Sequence, residues 1–134
     1  PEDLKRITKY LSENDPYYLL VCRMEYYTFI RPEELTNIKL CDINLKEQKI
    51  LVASNISKNR RDGMVGLNDE IIKQMIDLHI FDNDTNCYLF SKGFKPGYKK
   101  ITTRVIRDRF YKLRSVLKLP DIYLFYSFKD SGNP

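Results

Sequence analysis

Among the many cations and tyrosines of this 134-residue chain that could meet a tetrahedral anion are Arg31, Lys58, Tyr126 and Lys129. Arg31 stands before Pro32, Glu33, Glu34 and Leu35, a sequence that predicts a helix start. Proline costs nothing at a first helical position, whose N–H is unpaired anyway. Glu33 and Glu34 then suit the positive end of the helix dipole, whereas a fixed cation beside that end is repelled. Free N–H groups and a guanidinium at one place would make a receptor for phosphate. The plainer alternative is that Arg31 simply pairs with Glu34. Lys58 lies in Ile56-Ser57-Lys58-Asn59-Arg60-Arg61, where a lysine could deliver a proton or equally be a solvated turn residue. Tyr126 and Lys129 belong to Tyr126-Ser127-Phe128-Lys129-Asp130-Ser131-Gly132. That stretch reads either as a hydrogen-bond donor beside a cation or as an aromatic anchor before a helix.

The elements that must position these groups follow from the hydrophobic spacing. Residues 2–13 place Leu4, Ile7 and Leu11 on one helical face. Asp15 and Pro16 restart the chain as cap and first position of a helix over 16–29, apolar almost all round and therefore central. Leu35, Ile38 and Leu40 continue an apolar stripe beyond Arg31. Residues 49–53 and 63–67 are short β-rich runs, which predicts an antiparallel sheet of two or three strands with a basic hairpin tip. Asn68-Asp69 caps a helix over 69–79, with Ile71, Ile72, Met75, Ile76 and Leu78 facing inward. Residues 88–90 form a short buried segment and 91–100 a loop. Thr102 or Thr103 caps a helix over 103–118 whose core stripe is Ile106, Phe110, Leu113 and Leu117. Residues 122–132 read as a loop entering a further helix. The fold class expected is α+β, mainly α-helical, with helices around a small antiparallel sheet.

Composition narrows the function. Apolar residues make up 43% and charged residues 31%, an ordinary globular balance. No run approaches the length of a membrane span, and there is no signal peptide. The three cysteines, Cys22, Cys41 and Cys87, are odd in number and widely spaced, against a disulfide framework or zinc site. With His79 the only histidine, a His-rich metal site or a Ser-His-Asp triad is nearly excluded. The net charge of +5 favours a polyanionic partner. Arg104, Arg107, Arg114 and Lys118, with Lys99 and Lys100 just before them, lie opposite the core stripe of the 103–118 helix, as either a solvated face or a contact to nucleic-acid backbone.

The segment Arg31-Pro32-Glu33-Glu34-Leu35 with Ile38, Asp42 and Ile43 resembles the first active-site box of the tyrosine recombinases, the phage integrase family. That box reads Gly-[Leu or Met]-Arg-x-x-Glu-Leu with a Leu-x-x-x-Asp-Ile tail. Phe29 stands in the glycine position and Ile38 in that of the leucine. Ser57-Lys58-Asn59-Arg60-Arg61 resembles the family's hairpin-lysine motif, with Gly66 where proline is usual. Residues 126–132 are similar to the His-x-Leu-Arg-His-Thr-[Gly or Ala] box, with Tyr126 for histidine and Lys129 for arginine. The motifs come in family order along residues 1–134.

The resemblance implies site-specific DNA recombination or integration by tyrosine-mediated transesterification, without a cofactor. Arg31 and Lys129 would stabilise charge on the phosphoryl oxygens, and Lys58 would protonate the departing 5′ oxygen. Tyr126 would donate a hydrogen bond. Arg60, Arg61, Lys99, Lys100, Arg104 and Arg107 would contact double-stranded DNA. The chain is expected to be a catalytic-domain piece of a longer, cytoplasmic integrase of a phage or mobile element. Its N-terminal DNA-binding domain and C-terminal tyrosine segment would lie outside the chain, so the piece alone would not cleave DNA. Self-association on DNA is expected, with no membrane and no small-molecule substrate. The alternative is a non-catalytic DNA-binding module of the same fold.

Overall fold

The helix read as central is the axis of the molecule. In the computed structural model, which describes residues 2–52, 63–123 and 125, Pro16–Thr28 (α2) buries Tyr18, Leu19, Leu20, Val21, Cys22, Met24 and Glu25. Glu2–Asn14 (α1) lies on one side of it, burying Ile7 and Leu11. Asp69–Asp77 (α4) and the one-turn 3-10 helix Lys92–Phe94 pack against other faces. Pro32–Leu35 (α3) and Thr103–Val116 (α5) are in mutual contact.

Ile43–Asn44 (β1), Lys49–Leu51 (β2) and Met64–Gly66 (β3) form an antiparallel sheet in the order β1-β2-β3. Ile50, which pairs with both Ile43 and Val65, is its buried centre. The hairpin tip between β2 and β3 lies outside the described residues, as does the segment after Phe125.

Asp15 shows how the start of α2 is fixed. Its Oδ1 accepts the Tyr18 N–H at 3.2 Å, capping the helix, and Oδ2 accepts from Arg109 Nε of α5 at 3.0 Å. The Arg109 guanidinium lies over the Tyr18 ring, 5.2 Å from its centroid, and the Tyr18 hydroxyl donates to the Ile106 carbonyl. One carboxylate thus joins α2 to α5. Burial pushes the Tyr18 phenol well above its ordinary range, so it stays a neutral donor. Across α2, the buried Gln74 donates to the Pro16 carbonyl and accepts from Arg23, a polar clasp inside an apolar face.

Two details differ from the sequence expectation. Ile76, expected inward, is 54% exposed. It sits about 140° around the helix from Ile71, past the buried edge marked by Ile72. Leu35, Ile38 and Leu40 are all buried, but not along one helix. The Thr36 hydroxyl and the Asn37 amide both donate to the Glu33 carbonyl, and α3 stops after one turn. Of the two candidate caps, Thr102 holds the N-cap of α5, with no side-chain cap bond.

Asp15→Ala should lower stability by about 2–3 kcal/mol, roughly 1 from the cap and the rest from the guanidinium left unpaired. Asp15→Asn, which keeps an acceptor for the Tyr18 N–H, should cost less. Urea unfolding of the two variants separates cap from ion pair.

Candidate active site

The arginine of the first box is placed by its own neighbours. Phe29 closes α2 in the left-handed region, with φ 60° and ψ 18°. Ile30 turns into the core, and Arg31 is extended at φ −70° and ψ 152°, after which Pro32 opens α3. Glu34 then folds back on Arg31. Its Oε1 accepts the Arg31 backbone N–H at 3.0 Å and the side-chain Nε at 3.3 Å. The Glu33 carboxylate is a looser neighbour at 3.8 Å.

This corrects the idea of a free helix end. The N–H of Arg31 is taken by Glu34, and a one-turn helix has little dipole to offer. Charge repulsion at Arg31 is absent for the same reason. The hydrogen bond that Arg31 donates to Glu34, and then the charge of Glu34, raise the Arg31 pKa above its already high value, so the guanidinium is a permanent cation.

The Arg31–Glu34 pair is therefore real, but it occupies only one edge of the guanidinium. Glu34 is nearly buried, its side chain 8% exposed, whereas that of Arg31 is 49% exposed. Both ion pairs run through Nε, and the two terminal nitrogens have no hydrogen-bond partner among the described residues. A planar fork held by its inner nitrogen can present the outer ones to a second anion.

Two of the expected DNA-contacting cations reach the same helix. The Lys100 ammonium donates to the Thr36 hydroxyl at 3.3 Å, at the far end of α3. Arg107 lines a surface cleft of about 280 Å³ together with Pro32, Glu33, Thr103, Tyr111 and Phe125. Because α3 is about 6 Å long, Arg31 and Thr36 bracket it closely. Arg104 is more remote from this cleft and pairs with Asp108 at 3.6 Å, one turn along α5. Lys99 is exposed, and its carbonyl accepts from the Ser91 hydroxyl at 2.6 Å. Lys58, Arg60, Arg61, Tyr126 and Lys129 lie outside the described residues.

The loop carrying Lys99 and Lys100 is tied down at two points. A side chain at Gly97 would come within 2.8 Å of Ser91 Oγ, so the close approach there needs glycine. Tyr98, although exposed, donates its hydroxyl to Asp84 at 2.8 Å.

Arg109 was hidden within the charged run of α5, where it serves Asp15. Arg114, expected on the solvated or DNA-facing side, instead donates to the Asp121 and Tyr123 carbonyls, closing the chain after the helix. For Glu34 a signal existed: glutamate three residues after a cap is a capping-box signature.

Residues 1–122 match the sequence model of the Phage integrase family. The chain belongs to this family. Its fold is that of a solved relative, the crystal structure of XerA recombinase, with a TM-score of 0.76 at 20% identity. The likeness covers 98% of this chain and 46% of the XerA chain, so the present chain spans about half of that recombinase. Among curated proteins none matches this chain in sequence. Among the described residues no helix is long and apolar enough to cross a membrane.

The Tyr98–Asp84 tie predicts a pH signature. The hydrogen bond to Asp84 pushes Tyr98 up to about 12, from an ordinary 10.0. The stability it contributes is complete below about 10 and is lost as pH rises towards about 12. At the acid end, the Asn86 N–H and then the Tyr98 hydroxyl hold Asp84 below the usual carboxylate value. Its contribution is present above the ordinary carboxylate pKa and lost as pH falls through the lowered one. In Asp84→Asn, ultraviolet titration of phenolate should show one tyrosine returning towards 10.

Proposed function

We propose that this chain is the core of the catalytic domain of a site-specific DNA recombinase that works by tyrosine-mediated transesterification. The observation that carries the reading is the exposed Arg31 of the first box, held through Nε by a nearly buried Glu34. Family membership over residues 1–122 supplies the context. The outer edge of the Arg31 guanidinium would take two non-bridging oxygens of one DNA phosphate. It would stabilise the charge that grows on them as a tyrosine hydroxyl attacks phosphorus and the 5′ oxygen leaves.

Lys58 would give that oxygen its proton, and Tyr126 and Lys129 would complete the grip on the phosphoryl group. Lys129 supplies charge without a planar fork, so it would bind one oxygen where arginine binds two. The nucleophilic tyrosine would come from a segment beyond these residues, and an N-terminal domain would add to the grip on DNA. The whole protein would self-associate on DNA, as exchange between two duplexes requires. Lys99, Lys100, Arg104 and Arg107, with Arg60 and Arg61, would neutralise backbone phosphates.

Arg31→Ala in the full-length protein should reduce strand exchange by about 10²–10³-fold, the usual loss for one oxyanion donor. Affinity for duplex DNA should fall only a few-fold. Exchange within a few-fold of wild type would leave Arg31 as a partner of Glu34 alone.

A second reading is favoured by the two departures at Tyr126 and Lys129: a DNA-binding module that keeps the fold without the chemistry. It predicts that Lys129→Arg changes nothing, whereas the catalytic reading predicts faster turnover. Either reading makes Arg104 and Arg107 backbone contacts. Replacing both with alanine should flatten the slope of log affinity against log salt by about 1.8, at about 0.9 per lost contact.

A further inference from the structure

Phe29, two residues before Arg31, is misplaced by the ordinary rules of folding. Its φ of 60° is a left-handed conformation that suits glycine, and its ring is 43% exposed. Other side-chain-bearing residues with positive φ have an evident compensation. Gln48, His79 and Lys118 are polar, and Phe94 buries its ring against Tyr18 at 4.9 Å. Phe29 has neither: it is not among the half-buried apolar residues packed on the core.

The backbone at Phe29 is nevertheless held from both sides. The Thr28 hydroxyl donates to the Met24 carbonyl at 2.5 Å and accepts the Ile30 N–H at 3.2 Å, locking the kink from one side. Glu34 holds Arg31 from the other. Ile30 between them is buried, Phe29 and Arg31 are both exposed, and their Cα atoms are at most about 7 Å apart. A nucleotide advances about 3.4 Å per step along its strand. A ring and a guanidinium this close can meet one phosphate and the sugar or base beside it.

We propose that Phe29 packs on the deoxyribose and base edge next to the phosphate that Arg31 takes, adding an apolar contact to an ionic one. This rests on the reading of Arg31 as a phosphate ligand. It makes Phe29 a determinant of affinity and of preference at the flanking nucleotide. DNA is favoured over an apolar protein partner because a permanent cation, Arg31, lies two residues from the exposed ring.

The test exploits opposite signs. In the 134-residue chain, Phe29→Gly should raise Tm, because glycine relieves the backbone. It should also weaken binding to a short fluorescein-labelled duplex of mixed sequence by roughly five- to tenfold, as for loss of an aromatic–nucleotide contact. The salt slope should not change, since no charge is lost. Arg31→Ala should reduce that slope by about 0.9. Phe29→Tyr should keep the affinity, and p-benzoylphenylalanine in place of Phe29 should crosslink to the duplex on irradiation.

A lower Tm in Phe29→Gly would mean that the ring packs on the protein, and would overturn the inference. So would affinity within twofold of wild type, absence of the crosslink, or a change confined to self-association in sedimentation. An unchanged slope in Arg31→Ala would instead strike the phosphate reading itself, whatever Phe29 does.

Discussion

One carboxylate oxygen decides how the first box is presented. Glu34 Oε1 takes both the backbone N–H and the Nε of Arg31, so it fixes the chain path and the side-chain direction with the same atom. A long arginine side chain costs on the order of 2 kcal/mol of rotamer entropy to immobilise. Anchoring Nε in the folded state pays that cost before any ligand arrives. The arrangement needs α3 to be short: Glu34 must be near enough to reach back, and Thr36 and Asn37 end the turn immediately after it.

The rest of the fold supplies the stiffness behind that contact. Leu35 and Ile30 are buried on either side of Arg31, and both are part of the core that α2 organises. The charges on α5 divide between two duties. Arg109 and Arg114 face protein acceptors, whereas Arg107 opens onto the cleft beside Pro32 and Glu33. Lys100 also has a double character, since its ammonium bonds Thr36 while remaining exposed. A cation that is already bonded to a hydroxyl loses little by turning to a phosphate, because both are single-oxygen acceptors.

Much of this was legible in the sequence because the signals are local. The Asp15-Pro16 restart, the Asn68 cap and the spacing of Ile106, Phe110 and Leu113 depend only on neighbours along the chain. What escaped depends on three-dimensional partners. Nothing in its own neighbourhood marks Arg109 as the arginine of α5 that Asp15 claims. Gln74 is buried because Arg23 and Pro16 meet it there. Ile76 looked apolar enough for the core, but the curvature of the helix surface leaves it just past the edge. For the site, the sequence proposed a free N–H end and a pairing with Glu34 as alternatives. They are not equivalent, because the carboxylate that captures the N–H also orients the guanidinium.

The departures from the family pattern also carry different physical weights. At Gly66, where proline is usual, β3 is an edge strand and an added Cβ would meet nothing within 4 Å. Its φ is not in the left-handed range, so neither residue type is forced there. At Phe29, where glycine is usual, the backbone is left-handed and the substituent is large. A Cβ in that conformation costs roughly 1 kcal/mol or more relative to glycine. Conformational drift can account for the first departure, since it is nearly free. The second opposes both the backbone and the burial preference of an aromatic ring, and a nucleotide contact beside Arg31 would offset that cost.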